Sequence, residues 1–252
     1  MIKVLAVGNS FSQDATYYLH QIAAADGVDM KAVNLFIGGC SLERHWANIV
    51  NDAAEYQYEE NGKSTERLIS VKGALESDDR DYIVTQQASH DSGIVESYYP
   101  YLEKIADYIR KKAPNAELLL HETWAYEKDS THGCFGRYGK DQAIMYEKLS
   151  KAYRSVANKL GLRLIPSGDI IQDLRTKEPF VYERGGLSLC RDGFHMDLIY
   201  GRYLLAAVWY KFLTGNSVVR NSYVPRTEFA PNASCEEKIL NVVKRTVDEA
   251  VL

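Results

Sequence analysis

The sequence is poor in the features that mark several protein classes. It holds four cysteines in 252 residues (Cys40, Cys134, Cys190 and Cys235), widely scattered and without a CxxC pair. That spacing weighs against a zinc knuckle and reads as reduced thiols of a reducing compartment, although an even number permits a disulfide. Six prolines leave no linker-like stretch, and neither a repeat nor a low-complexity segment is visible. No apolar run approaches the length of a membrane span, and MIKVLAVG is too short for a signal peptide, so a cytoplasmic protein is expected. Charge of one sign is also missing. The 30 basic and 34 acidic residues give a net charge of −4 with no run of five like charges, which weighs against nucleic acid or an anionic membrane as partner. A Gly-rich phosphate fingerprint is absent, as is HExxH. Metal binding by His121, Glu122 and His132 is therefore not expected, and neither is any cofactor.

What is present is an ordinary globular composition, 46% hydrophobic and 25% charged, at a length that suits one domain over residues 1–252. Strand-length apolar runs recur at Ile2–Val7, Ala32–Ile37, Tyr82–Thr85, Glu117–His121 and Leu162–Ile165. Helical spacing predicts helices over Gln13–Ala25, Tyr98–Lys112, Asp141–Leu160, Leu198–Leu213 and Cys235–Val251. Alternation of the two predicts a three-layer α/β/α sandwich around a flavodoxin-like central parallel sheet of about five strands. Trp46–Asp79 and Trp124–Lys140 break the rhythm as long polar connections, which are more often functional than accidental.

Ligands of open α/β sheets bind beyond the carboxyl ends of the strands. The residues there are Gly8-Asn9-Ser10, Gly38-Gly39-Cys40-Ser41, Gln86-Gln87-Ala88-Ser89-His90, His121-Glu122-Thr123-Trp124 and Ser167-Gly168-Asp169. Ser10 admits two readings. With Gln13 three residues on it fits a capping box, and Ser12 would cap as well. Alternatively its hydroxyl is a nucleophile, outside the GxSxG elbow because residue 12 is serine. Arg191-Asp192-Gly193-Phe194-His195 favours the second reading. Aspartate three residues before histidine can take the imidazole Nδ1–H, which fixes the tautomer and leaves Nε2 as a base.

Serine after the first strand, combined with DxxH before the last long helix, resembles the SGNH (GDSL-type) hydrolase superfamily. Gly8-Asn9-Ser10-Phe11 is similar to its first block, with Asn9 in place of aspartate. Asn34 through Gly39 is similar to the second, and Asp192 with His195 to the last. The likeness spans about residues 2–200, and the run GNSFS, VTQQAS, HETWAY, DGFH also looks like a bacterial subgroup of unknown function. It implies ester hydrolysis by Ser10, His195 and Asp192, with Ser10 and Gly39 in the oxyanion hole. The third block departs, for Ala88-Ser89-His90-Asp91 stands where GxND is usual. The third oxyanion donor is then Gln87, or else Ser89 or His90.

The long loops carry Trp46, Trp124 and Tyr126, whose ring faces suit sugars. The expected substrate is therefore a small-molecule or carbohydrate ester with a short acyl group, acetyl above all. The competing readings are a degenerate, non-catalytic glycan binder of the same fold and a lipase or thioesterase for longer chains.

Overall fold

The computed structural model describes residues 1–251. The chain runs β1 (Ile2–Gly8), α1 (Ser10–Thr16), α2 (Leu19–Ala25), β2 (Met30–Phe36), α3 (Leu42–Val50), β3 (Tyr56–Glu60), β4 (Lys63–Ile69), α4 (Val71–Ser77) and β5 (Tyr82–Thr85). It continues through α5 (Tyr101–Lys112), β6 (Glu117–His121), α6 (Gln142–Leu160), β7 (Arg163–Ile165), α7 (Ser167–Leu174), α8 (Tyr200–Thr214) and α9 (Glu237–Glu249).

One sheet forms, in the order β4-β3-β2-β1-β5-β6-β7. Strands β2, β1, β5, β6 and β7 are all parallel, the α/β arrangement expected from the alternation. At its centre, Val4 to Val7 of β1 are no more than 1% exposed, because helices cover both faces of a parallel sheet. Helices α1, α2, α8 and α9 pack among themselves, while α3 packs on α4 and α5. Helix α8 is buried nearly all round, and Trp209 lies within it fully enclosed.

The sheet has seven strands rather than about five. The two additional ones come from Trp46–Asp79, which is not a loop. That segment finishes α3, pairs β3 antiparallel to β2 and β4 antiparallel to β3, and closes with α4. Asn61 and Gly62 turn the hairpin with φ of 53° and 80°, the left-handed pair that an Asn-Gly turn favours. Edge strand β4 is polar and exposed from Lys63 to Leu68, which discourages pairing with another chain.

The helix expected over Gln13–Ala25 begins earlier and divides into α1 and α2. Its cap is Asn9, whose side chain accepts the Phe11 N–H. Ser10 is therefore the first helical residue and not a cap. Helix α7, after Pro166, falls outside the elements expected from the sequence. Trp124–Lys140 stays largely irregular, with a single 3₁₀ segment at Gly133–Tyr138, yet Trp124 through Glu127 are buried. Among the described residues, no helix is long and apolar enough to cross a membrane.

Candidate active site

Because the core strands are parallel, their carboxyl ends share one edge, and the residues that follow them meet there. Ser10 enters from β1, Gly38 and Gly39 from the turn after β2, and Ser89 and His90 from the loop after β5. With Asn9, Phe11, Gln13, Phe36, His132, Arg191, Phe194 and His195 they enclose a cleft of about 380 Å³.

Asp192 and His195 sit in a hairpin-like loop closed by a bridge between Cys190 and Met196. Gly193 turns it with φ of 86°, and any Cβ there would lie 2.9 Å from the Ser130 backbone, so the position demands glycine. Asp192 Oδ1 accepts the N–H groups of Phe194 (3.2 Å) and His195 (2.8 Å), which holds the carboxylate under the ring. His195 Nδ1 donates to Asp192 Oδ2 at 2.6 Å, and its Nε2 lies 2.9 Å from Ser10 Oγ. With the Nδ1 proton on the aspartate side, neutral Nε2 is an acceptor and the Ser10 hydroxyl donates to it. Burial opposes ionisation of Asp192, but the bonds from His195 outweigh it and hold the carboxyl below its usual range. Ser10, His195 and Asp192 are thus brought into one hydrogen-bonded chain.

The loop is tied to α1 by Asp14, which is fully buried. Asp14 accepts from Arg191 Nη1 (3.0 and 3.1 Å), from Arg202 Nε (2.8 Å) and from the Met196 N–H (3.0 Å). One carboxylate, one helical turn after Ser10, therefore anchors the residue that follows His195. Sequence reasoning did not find it, because an aspartate in the polar segment SFSQDAT at a helix start reads as an ordinary first-turn acid.

Gly39 lines the cleft, and among the described residues its N–H and that of Ser10 have no hydrogen-bond acceptor. Gln87 is not an oxyanion donor in this arrangement. Its Oε1 accepts from Leu42 N (3.0 Å) and Ala88 N (2.8 Å), and its Nε2 donates to Ser97, so the whole amide is engaged away from the cleft. Ser89 and His90 do line the cleft, with Ser89 Oγ 2.9 Å from the Tyr126 hydroxyl and His90 Nε2 3.5 Å from Asp91 Oδ2.

The three aromatic residues expected to bind sugar do not line the cleft. Trp124 is fully buried, stacked on Phe11 at 3.9 Å with its Nε1 donating to the Phe194 carbonyl. Tyr126 is fully buried behind Ser89 and Phe194. Trp46 lies half-buried on α3 beneath the Lys104 ammonium. A loop at the sheet edge of this size fills its own interior, and Trp124 and Tyr126, with Phe135 and Tyr138, supply that filling. Trp124 and Tyr126 buttress the rings that form the cleft wall.

Behind Ser10 runs a buried polar chain. Asn9 donates to the Cys40 carbonyl and accepts from Gln86 Nε2 at 2.9 Å. Gln86 Oε1 accepts from His121 Nδ1 at 2.6 Å, which leaves His121 Nε2 to accept from the Ser167 hydroxyl at 3.0 Å. Burial pushes the His121 imidazole down to about 3, so this relay is neutral. Both His121 nitrogens are occupied. Among the described residues, no group of three or more His, Cys, Asp or Glu side chains is placed to hold a metal ion. All four cysteines are free, and burial pushes the Cys40 and Cys190 thiols up to about 12.

The sequence profile of a domain of unknown function, DUF4886, matches residues 3–239. The chain belongs to the DUF4886 family. A DUF4886 protein from Bacteroides uniformis ATCC 8492 is 38% identical and superposes with a TM-score of 0.89, over 98% of this chain and 93% of that one. A proposed SGNH hydrolase from Slackia heliotrinireducens is 18% identical, with a TM-score of 0.57 over 84% of this chain and 98% of its own. An acetyl xylan esterase is 14% identical, also with a TM-score of 0.57, over 82% and 98%. At those identities the likeness is one of fold, so this DUF4886 chain has the SGNH-hydrolase fold. No curated protein matches.

Proposed function

We propose that this protein is a serine ester hydrolase acting on short acyl esters. The observation that carries the reading is the hydrogen-bonded chain from Ser10 through His195 to Asp192 in the cleft wall. In the proposed reaction His195 Nε2 takes the Ser10 proton as Oγ attacks the ester carbonyl, and the carbonyl electron pair moves onto oxygen. The N–H groups of Ser10 and Gly39 receive that oxyanion, with Ser89 or His90 as a third partner. Collapse returns the electron pair and expels the alcohol, which takes its proton from imidazolium His195. Asp192 holds the ring throughout and favours its charged form. Water then gives a proton to His195 and attacks the acyl group, and the carboxylic acid departs as Ser10 regains its hydrogen.

A short acyl group suits the cleft. Phe11, Phe36 and Phe194 supply a small apolar wall within about 380 Å³, and the remaining lining is polar. The test is a chain-length series of p-nitrophenyl esters with wild type and Ser10→Ala. The expected result is a fall in kcat/KM from acetyl to butyryl and no activity in Ser10→Ala. A steady rise to octanoyl would overturn the short-chain reading, because each methylene finding an apolar wall contributes up to about 0.8 kcal/mol. No hydrolysis of any ester by wild type would overturn the esterase reading.

A further inference from the structure

Ser10, Gln13 and Tyr17 follow one another at i, i+3 and i+7, a spacing that stacks them on one helix face. Tyr17 comes immediately after α1 and keeps helical dihedrals, φ −58° and ψ −43°. Ser10 and Gln13 line the cleft described above, and Gln13 and Tyr17 line a second cavity of about 440 Å³ beside it. Its other walls are the β3–β4 hairpin, through Gln57, Lys63 and Ser64, then Arg202 of α8, and Phe229. The hairpin that extends the sheet beyond five strands is thus what creates the cavity.

The chemistry of these walls is mixed in a particular way. Phe229 is 65% exposed, its ring 6.3 Å from that of Tyr17. A large apolar ring left open over a polar floor is a platform for the C–H face of another ring. Arg202 is only 5% exposed. Its Nε holds Asp14 and its guanidinium lies 4.1 Å over the Tyr17 ring, while Nη1 makes no hydrogen bond among the described residues. Lys63, Gln57 and Ser64 add cationic, amide and hydroxyl donors, and Glu228 adds an acceptor. A fatty chain in this space would desolvate those groups without replacing their hydrogen bonds. A ring bearing many hydroxyls answers both features, with its edge on the polar groups and its face on Phe229.

We propose that the second cavity binds the alcohol portion of the substrate, a polyhydroxylated ring such as a saccharide unit, while the ester reaches past Gln13 to Ser10. The inference rests on the esterase reading for its acyl half alone. It moves the sugar-binding role away from Trp46, Trp124 and Tyr126 to the surface between α1 and the β3–β4 hairpin.

The experiment compares wild type, Phe229→Ala and Lys63→Ala, two exposed positions outside the triad and its supports. Each is assayed on methyl acetate, whose alcohol is too small to reach the second cavity, and on acetylated xylotriose, and binding of free xylotriose is followed by saturation-transfer NMR. The expected result is a KM for acetylated xylotriose raised about tenfold in Phe229→Ala and severalfold in Lys63→Ala. Turnover of methyl acetate should stay within twofold. Saturation transfer to xylotriose should be present with wild type and lost in Phe229→Ala. Equal effects on both esters, or none on either, would overturn the proposal. So would an active enzyme on methyl acetate that shows no transfer to xylotriose. If wild type cleaves no ester but transfer is seen and depends on Phe229, the esterase reading fails while the second cavity stands.

Discussion

Replacing Glu122 by glutamine should flatten the pH dependence of stability. Glu122 follows β6 and is fully buried; its Oε2 accepts the Asp169 N–H at 3.0 Å, and its Oε1 has no partner among the described residues. Burial, reinforced by the neighbouring Asp169 carboxylate, pushes the Glu122 carboxyl up to about 8. The folded protein therefore keeps a proton that the unfolded chain, with an ordinary glutamate near 4.5, has already released. Between these two values the native state binds more protons, so stability falls as pH rises, and it levels off above about 8. At about 1.36 kcal/mol for each pH unit between them, the whole window amounts to about 4–5 kcal/mol. Glu122→Gln has nearly the same shape and stays neutral in both states, so it removes this slope. Urea unfolding at pH 5, 7 and 9 measures it. The variant should match wild type near pH 5 and exceed it by several kcal/mol at pH 9. Parallel curves for the two proteins would refute a protonated Glu122, as would a variant less stable at every pH.

Two further perturbations probe the candidate site. Asp14→Ala leaves Arg202 buried and Arg191 half-buried without their carboxylate, and should cost about 3–5 kcal/mol by denaturant midpoint. Asp14→Asn, which keeps an acceptor, should lose less while still lowering kcat, since Met196 beside His195 hangs on that group; a loss under about 1 kcal/mol in Asp14→Ala would sink the clamp. Asp192→Asn should lower kcat on p-nitrophenyl acetate on the order of 10³–10⁴-fold with KM little changed, because the amide permits the wrong imidazole tautomer. Near-wild-type turnover in that variant would remove Asp192 from the mechanism.

How much of the fold could be read depended on burial. Tyr82–Thr85 and Glu117–His121 form strands over the residues their apolar runs indicated, because both faces of a central parallel strand are covered. Strand β4 is half charged along an exposed edge, so hydrophobic periodicity carries no trace of it. The signal that was available there is Asn61-Gly62, the strongest short-range mark of a hairpin. Helix α7 escaped because it starts directly behind Pro166 and its eight residues are too few for a period to declare itself.

The same division runs through the site. Ser10, Gly39, Asp192 and His195 stand at strand ends or in a short loop, where position alone brings them to one edge, and their types suggest the chemistry. The side chains that hold them there are not legible in that way. Gln86 and Gln87 are adjacent amides in the sequence, and nothing in their order says that one supports Asn9 while the other closes the turn into α3. His121 looks like a metal ligand or a base until both of its nitrogens are found occupied, 2.6 Å from Gln86 and 3.0 Å from Ser167. Trp124 looks like a platform until Phe11 is found stacked on it. A buried polar group must find its partners within the protein, and the long-range partners of Asn9, Gln86 and Asp14 lie 31 to 188 residues away. Sequence order therefore names the proposed reacting groups, whose place is set by a strand end or by one short loop. It is silent on their supports, whose place is set by several elements at once.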